Sequence, residues 1–199
     1  SHPTSALADL LWFPTGGGKT EAYLGVAAFT VGIRRLQGDL GGLENHAGVT
    51  VLMRYTLRLL TLQQFQRATT LIAAMEVIRR DDPATWGNVP FRIGLWVGQR
   101  STPNWTKQSA EVIKQDHGEW QGGAFGKGTP HQLTNCPWCG TKIEPGKGHI
   151  QVDRFQQGRG RTLIYCGDKF GQCMFSKRQS PDEGLPVVVV DEEIYRLLP

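Results

Sequence analysis

One short run constrains this chain more than any other: Pro-Thr-Gly-Gly-Gly-Lys-Thr at residues 14–20. An apolar run at residues 10–13 precedes it, and residues 20–36 follow with apolar side chains at helical spacing. Consecutive glycines allow the left-handed turns that aim backbone N–H groups at phosphate oxygens, and a helix start behind them adds its positive end. Strand, turn and helix together predict a phosphate-binding loop.

The residues of this loop are predicted to bind ATP, with Mg²⁺ as the second cofactor. Lys19 is predicted to reach the β- and γ-phosphates and to be catalytic, and the Thr20 hydroxyl is predicted to bind magnesium. The usual pattern has Gly where this chain has Phe13. The alternative is a glycine-rich turn that binds nothing. The predicted nucleotide-binding set is Pro14, Thr15, Gly16, Gly17, Gly18, Lys19 and Thr20.

Strand and helix patterns alternate along the first half of the chain. Residues 49–53, 91–97 and 185–190 read as buried strands, and residues 61–80 read as a long amphipathic helix. This alternation predicts an α/β fold with a parallel sheet that has helices on both faces. We divide the chain into a first part of the sheet domain (1–98), an insertion (99–184) and a return strand (185–199). Low apolar periodicity predicts a small core for the insertion, which a metal would stabilise.

All four cysteines lie in the insertion, in a zinc-binding module at about residues 133–178. Cys136-Pro-Trp-Cys139-Gly is a knuckle of two thiolates, and Cys166 and Cys173 complete a predicted four-sulfur structural zinc site. The six residues between the second pair are looser spacing, so His131 and His149 remain alternative ligands. The alternative to a zinc site is four unrelated buried or exposed thiols.

Two further stretches carry candidate site residues. Arg54, Thr56, Arg58 and Gln63 lie at a strand-to-helix junction and are predicted contacts to a nucleic-acid backbone; helix capping and surface charge are the alternative. The four valines at residues 187–190 lead into Asp191 and Glu192, which have the form of a magnesium ligand and a water-orienting base. The true acidic motif could instead lie beyond residue 199.

Residues 11–24 and 51–67, with further likeness through 91–98 and the insertion, resemble superfamily 2 helicases and in particular the helicase subunit of the DISARM anti-phage defence system. The resemblance implies a RecA-like P-loop fold, a chain that is part of a larger helicase, and an ATP-driven motor that engages DNA rather than RNA. It also implies partner subunits in a defence complex. A P-loop alone does not exclude an enzyme acting on a small molecule, or a zinc-stabilised binding module in which nucleotide is only a switch.

Charge and hydropathy set broad limits. A net charge of +4 allows a polyanionic partner but does not require one. No apolar stretch reaches the roughly 18 residues that a membrane helix needs, and the first residues lack a signal-peptide pattern, so we expect a cytoplasmic protein with no membrane partner. Basic and aromatic residues alternate around the cysteines, which fits nucleic acid, protein docking or a solvated surface equally well.

Overall fold

The computed structural model describes residues 18–55, 58–116, 128–154, 160–178 and 180–197. Its helices span Lys19–Gln37 (α1), Arg58–Asp81 (α2), Pro83–Trp86 (α3), Thr106–Asp116 (α4) and Asp191–Leu197 (α5). Its strands span Ile93–Gly94 (β1), Ile150–Arg154 (β2), Gly160–Ile164 (β3) and Val187–Val188 (β4). Short 3₁₀ turns lie at Pro145–Lys147 and Pro181–Glu183.

The strands form two separate pairs. Strands β1 and β4 are parallel, with Ile93 opposite Val187, although the whole insertion separates them in sequence. Strands β2 and β3 form an antiparallel hairpin, with Ile150 opposite Ile164. The backbone N–H of Leu185 donates to the Ile164 carbonyl at 2.7 Å. This hydrogen bond joins the end of β3 to the segment just before β4. The fold is therefore mixed α/β with a small parallel sheet.

The sequence predictions of regular structure meet different outcomes. The two long helices are confirmed, each a few residues longer than predicted. The strands predicted at 91–97 and 185–190 are present but shorter. The strand predicted at 49–53 is wrong, because this segment has no regular structure and Leu52 is 87% exposed. The strand predicted at residues 10–13 lies outside the described residues.

Most of the core comes from the second half of the chain. Its fully buried side chains include Phe175, Ile143, Ile150, Ile164 and Val190, and from α2 only a few residues such as Phe65 and Ala73 join the same cluster. The insertion that was expected to have little core thus supplies most of it. The low apolar periodicity was misleading because its buried residues come from short strands and loops rather than from helices.

Helix α2 is joined to this core by buried charge. Glu76 has no exposed surface and accepts hydrogen bonds from Arg79, from Arg80 and from the backbone N–H of Phe91. Arg80 also donates to the carbonyl of Gly184 and lies 4.9 Å from the centre of the Phe175 ring. The network fixes the end of α2 against the segments that lead into β1 and β4.

Candidate functional site

The four cysteines come together at one point. The Sγ atoms of Cys136 and Cys173 are 3.9 Å apart, those of Cys139 and Cys166 are 3.3 Å apart, and all four lie within 4.8 Å of one another. Tetrahedral zinc with Zn–S bonds of about 2.3 Å needs sulfurs about 3.8 Å apart. All four are free thiols rather than disulfides. The cluster therefore has the composition and spacing of a closed four-cysteine zinc centre.

A tight hairpin positions the first pair. The backbone N–H of Cys136 donates to Thr141 O at 2.8 Å, and that of Gly140 donates back to Cys136 O at 2.9 Å. Gly140 has φ 78°, a left-handed conformation that glycine adopts at no steric cost. This turn places both sulfurs of the Cys-x-x-Cys motif on one side of the hairpin, as the sequence predicted.

A carboxylate organises the second pair. Asp168 accepts hydrogen bonds from the backbone N–H of Phe170 at 2.9 Å and of Cys173 at 2.7 Å, while its own N–H donates to the Cys166 sulfur at 3.4 Å. These contacts hold the six-residue loop closed so that Cys173 returns to Cys166. The loose spacing of the second pair is thus compensated by one aspartate, which the sequence analysis did not single out.

The electrostatics of the cluster favour a bound cation. Burial raises the pKa of Cys136 and Cys166, and raises the pKa of Cys173 to about 12. Burial also acts on Cys139, but hydrogen bonds from Thr141 outweigh it and lower the pKa of Cys139 to about 7. Four ionised thiolates this close would repel one another strongly. A divalent metal removes that repulsion, and thiolate is the ligand that zinc prefers.

Neither candidate histidine belongs to the cluster. His149 is buried, and its Nδ1 accepts the backbone N–H of Glu144 at 2.9 Å. Burial, helped by the neighbouring Arg178, lowers the pKa of His149, so the ring is held neutral as an acceptor. The Nε2 atom of His131 lies 3.1 Å from the carbonyl of Ile143. Both rings support the backbone around the cysteines, and among the described residues the four-sulfur set stands without them.

The predicted phosphate loop is described only at its end. Pro14, Thr15, Gly16 and Gly17 lie outside the described residues. Gly18 has the left-handed φ of 78° and caps α1, whose first two residues are Lys19 and Thr20. The first helical hydrogen bond runs from Ala22 N to Gly18 O at 3.1 Å, so the preceding N–H groups have no partner within the helix.

The predicted nucleic-acid contacts lie where α2 begins. Arg54 precedes the helix and is exposed, and Gln63 is exposed in its second turn. Arg58 is the first residue of α2, with a side chain outside the described set, and Thr56 lies outside the described residues. The junction is therefore accessible, and its role in binding stays a prediction.

The acidic pair follows β4, and its two members differ. Asp191 begins α5; one of its carboxylate oxygens is buried without a partner in the described structure, and burial raises its pKa. Glu192 accepts the N–H and hydroxyl of Thr106, both at 2.9 Å, and so caps the first residue of α4. Asp191 thus has a free oxygen for a cation, whereas Glu192 already has a structural contact. Their catalytic roles stay predictions.

Glu193, one residue further, is the most buried acid of this helix and was missed by the sequence analysis. Both of its oxygens accept the N–H of Thr162, at 2.8 and 2.9 Å, and it also receives the hydroxyls of Thr162 and Thr106. Burial raises its pKa. No sequence signal identifies it, because its partners are 31 and 87 residues away.

Comparison with known proteins places the chain near a defence protein. It is 42% identical over 197 residues to the DISARM protein DrmA of Bacillus paralicheniformis, an alignment that covers 97% of this chain. The chain spans only 16% of that relative's length. No protein-family model matches the chain. The chain is therefore related to one segment of a DISARM protein. No described helix is long and apolar enough to cross a membrane.

Proposed function

We propose that this chain is the nucleotide-binding part of a helicase-like ATPase that acts in anti-phage defence and engages DNA. The observation that carries the proposal is the start of α1, where a left-handed glycine is followed at once by Lys19 and Thr20. The relation to a DISARM protein supports the defence role and a place among the subunits of a defence complex. The parallel pairing of β1 with β4 supports a RecA-like sheet domain.

Three features of the helix start support the proposal that it binds a triphosphate. Its first N–H groups have no partner within the helix, and the helix dipole places positive charge at the same end. Lys19 is half-buried there and would neutralise the β- and γ-phosphates. Glu21, in the same first turn, pairs with Arg67 of α2, which partly offsets its negative charge near the phosphates.

We assign two candidate ligands of Mg²⁺ to this chain. Thr20 offers a hydroxyl at the helix start, and Asp191 offers a buried carboxylate oxygen with no protein partner in the described structure. Mg²⁺ would supply charge neutralisation of the phosphates during hydrolysis. Glu192 would orient the attacking water only if it left Thr106. The four cysteines would hold zinc in a structural role, because a closed site leaves no position for water.

Exposed polar residues at the start of α2 fit the DNA backbone. Arg54 and Gln63 are exposed, and Arg58 begins the helix. Together with Thr56 they would contact phosphates, which sets register without reading sequence. Phosphate contacts of this kind would transmit the presence of DNA to the nucleotide site, since α2 also packs against α1 through Arg67 and Glu21.

The test is ATP hydrolysis by a full-length DISARM protein carrying this segment, with and without DNA. We expect DNA to stimulate hydrolysis, and Lys19→Ala to reduce it by about 100-fold or more, because a lost phosphate contact is uncompensated in the transition state. Lys107→Ala, which removes an exposed lysine from α4, is the matched control. Normal hydrolysis in Lys19→Ala would overturn the P-loop assignment.

The other outcomes separate the remaining alternatives. Hydrolysis that ignores DNA would favour an enzyme with a small-molecule acceptor. DNA binding without hydrolysis would favour a binding module with nucleotide as a switch. Glu192→Gln preserves an acceptor for Thr106, so a loss of hydrolysis with intact folding would assign the base to Glu192. Full activity in both Glu192→Gln and Asp191→Asn would place the acidic motif elsewhere in the protein.

A further inference from the structure

The two cysteine loops each expose an aromatic ring. Trp138 lies between the two cysteines of the first pair and is 46% exposed. Phe170 lies in the loop between Cys166 and Cys173 and is 88% exposed. Because the loops meet at the four sulfurs, both rings belong to the same end of the module. A single exposed ring is common on soluble proteins, but two rings on loops that meet at one point form a candidate contact surface.

Cations surround these loops. Lys147, Lys169 and Arg178 all lie close enough to His149 to lower its pKa, and the Arg178 guanidinium approaches Gly148. Lys142, between the first cysteine pair and β2, is 72% exposed at its side chain. Lys177 is exposed as well. The module therefore presents a cluster of positive charge beside its exposed rings.

Few acids balance this charge. Residues 136–149 and 166–178 contain five lysines and arginines but only Glu144 and Asp168 as acids. Glu144 is shared between Lys147 at 2.7 Å and Lys142 at 3.8 Å, so one carboxylate faces two cations, and both oxygens of Asp168 accept backbone N–H groups. The excess of three cations outweighs even the formal charge of about −2 that Zn²⁺ with four thiolates would carry. A polyanion fits this surface better than a protein of mixed charge.

Two other members of the basic and aromatic pattern around the cysteines, Tyr165 and Arg161, already have contacts within the chain. Tyr165 is buried, with Arg178 above its ring, and Arg161 pairs with Asp182 at 3.2 Å. The accessible set is smaller and is confined to the cysteine loops. It combines two flat rings with several flexible cations, and such a combination binds unpaired bases and their phosphates.

We propose that the cysteine loops form a binding surface for single-stranded nucleic acid, with bases stacked on Trp138 and Phe170 and phosphates bound by Lys142, Lys169 and Lys177. A duplex has no free base faces to offer these rings, so single strands are preferred. The surface rests on the proposed zinc centre, which holds the loops together. Binding at this surface does not require ATP. The binding proposal can therefore be wrong while the ATPase proposal is right, and the ATPase proposal can be wrong while the binding proposal is right.

The test measures binding of a fluorescent 12-nucleotide oligothymidylate to the zinc-loaded 199-residue chain without nucleotide, by anisotropy. We expect Trp138→Ala and Phe170→Ala each to weaken binding by about 10-fold, since base stacking on one ring has that magnitude. Lys142→Ala with Lys169→Ala should lower the salt dependence, with log K losing about 0.7 in slope for each lost phosphate contact. The matched control is Trp105→Ala, which removes another exposed tryptophan outside the module.

Zinc content, measured for every variant, distinguishes a lost contact from a lost fold. Tryptophan fluorescence quenched by the oligonucleotide, and lost in Trp138→Ala, would show direct stacking. Unchanged affinity in the Trp138→Ala, Phe170→Ala double variant with full zinc content would overturn the proposal. So would equal affinity for a duplex of the same length. An absence of oligonucleotide binding by the wild-type chain would overturn it too and assign the rings to a protein partner.

Discussion

The cysteine half of the molecule closes its own core, whereas the half that carries α1 does not. In the cysteine half Phe175, Ile143, Ile150 and Ile164 are fully buried, and the buried His149 is used as a backbone acceptor. Along α1 an apolar stripe faces outward at helical spacing, and Phe29 is 70% exposed. The exposed apolar residues of this region are Tyr23, Val26, Phe29, Ile33, Leu36, Leu40, Leu43, Val49, Val51 and Leu52.

This difference separates two ways of stabilising a chain. The cysteine half is stabilised by short-range packing around a candidate metal. The α1 half has the pattern of a helix that packs against additional structure, since exposed apolar stripes of this size mark contact surfaces. The chain covers only 16% of its DISARM relative. We therefore expect perturbations of the two halves to differ sharply in size.

The largest effect should come from removing the metal. Structural zinc contributes about 10–16 kcal/mol of apparent binding free energy, which is as large as the whole stability of an ordinary domain, about 5–15 kcal/mol. A zinc-selective chelator should therefore unfold the cysteine half, and the near-UV circular dichroism of its aromatic residues should collapse. Cobalt substitution should give the absorption bands of a tetrahedral tetrathiolate site. Retained near-UV signal after complete zinc removal would contradict the claim that the metal stabilises the cysteine half.

A pair of phenylalanine truncations compares the two cores directly. Phe175→Ala should lower the free energy of unfolding by about 3–5 kcal/mol, because the ring is fully buried and leaves a cavity. Phe29→Ala should change it by less than about 0.5 kcal/mol in this chain, because most of the ring is already in water. Urea denaturation measures both. Similar losses would mean that α1 is packed more tightly than its exposure indicates.

Two glutamate–arginine pairs give the next contrast. Glu76→Gln should cost about 3 kcal/mol, because two arginines lose a buried partner. Glu21→Gln should cost less than about 1 kcal/mol, because its pair with Arg67 is exposed. Thermal unfolding measures both losses.

The shifted pKa of Glu76 predicts that stability depends on pH. Burial raises the pKa of Glu76, but Arg79 and Arg80 outweigh it and hold the pKa below its ordinary value. Its contribution is therefore present above the unfolded pKa of about 4.3 and is lost as pH falls through the folded pKa. The Glu76→Gln variant should lose less stability than the wild type over that acidic range. Parallel pH profiles would contradict this account.

The smallest contrast uses glycines. A Cβ on Gly167 would lie 2.0 Å from the Lys142 carbonyl, so Gly167→Ala should cost about 1–3 kcal/mol or more. A Cβ on Gly25, within α1, meets nothing within 4 Å, so Gly25→Ala should stabilise by about 0.4–1 kcal/mol. Melting temperatures of the two variants should move in opposite directions. A destabilising Gly25→Ala would indicate that this face of α1 is covered.

The sequence predicted elements that depend on local pattern. Helices α1 and α2 follow from apolar periodicity, and the four cysteines are brought together as their spacing indicated. Helix α4 was missed because its sequence is mostly polar and its start is capped from a distant part of the chain by Glu192. Asp168 and Glu193 were missed because each accepts backbone N–H groups that only the folded chain brings close, and no sequence motif marks such contacts.

The wrong strand at residues 49–53 has a physical cause. A run of β-branched and apolar residues forms a strand only where a neighbouring strand offers hydrogen bonds. Here Arg34 donates to the Thr50 hydroxyl at 2.9 Å, which ties the segment to α1 instead. The strand preference of these residues is visible in the sequence. That no described strand pairs with them is visible only in the structure.

Hydrogen exchange of the zinc-loaded chain, with and without Mg²⁺–ATP, is the decisive test of whether the start of α1 binds nucleotide. We expect ATP to slow exchange of the amides at Lys19, Thr20 and Glu21, whose N–H groups have no partner within α1. The cysteine loops should be protected equally in both states, because their hydrogen bonds are complete without nucleotide. Unchanged exchange at the start of α1, with or without a change in the cysteine loops, would contradict the assignment of nucleotide binding to this helix.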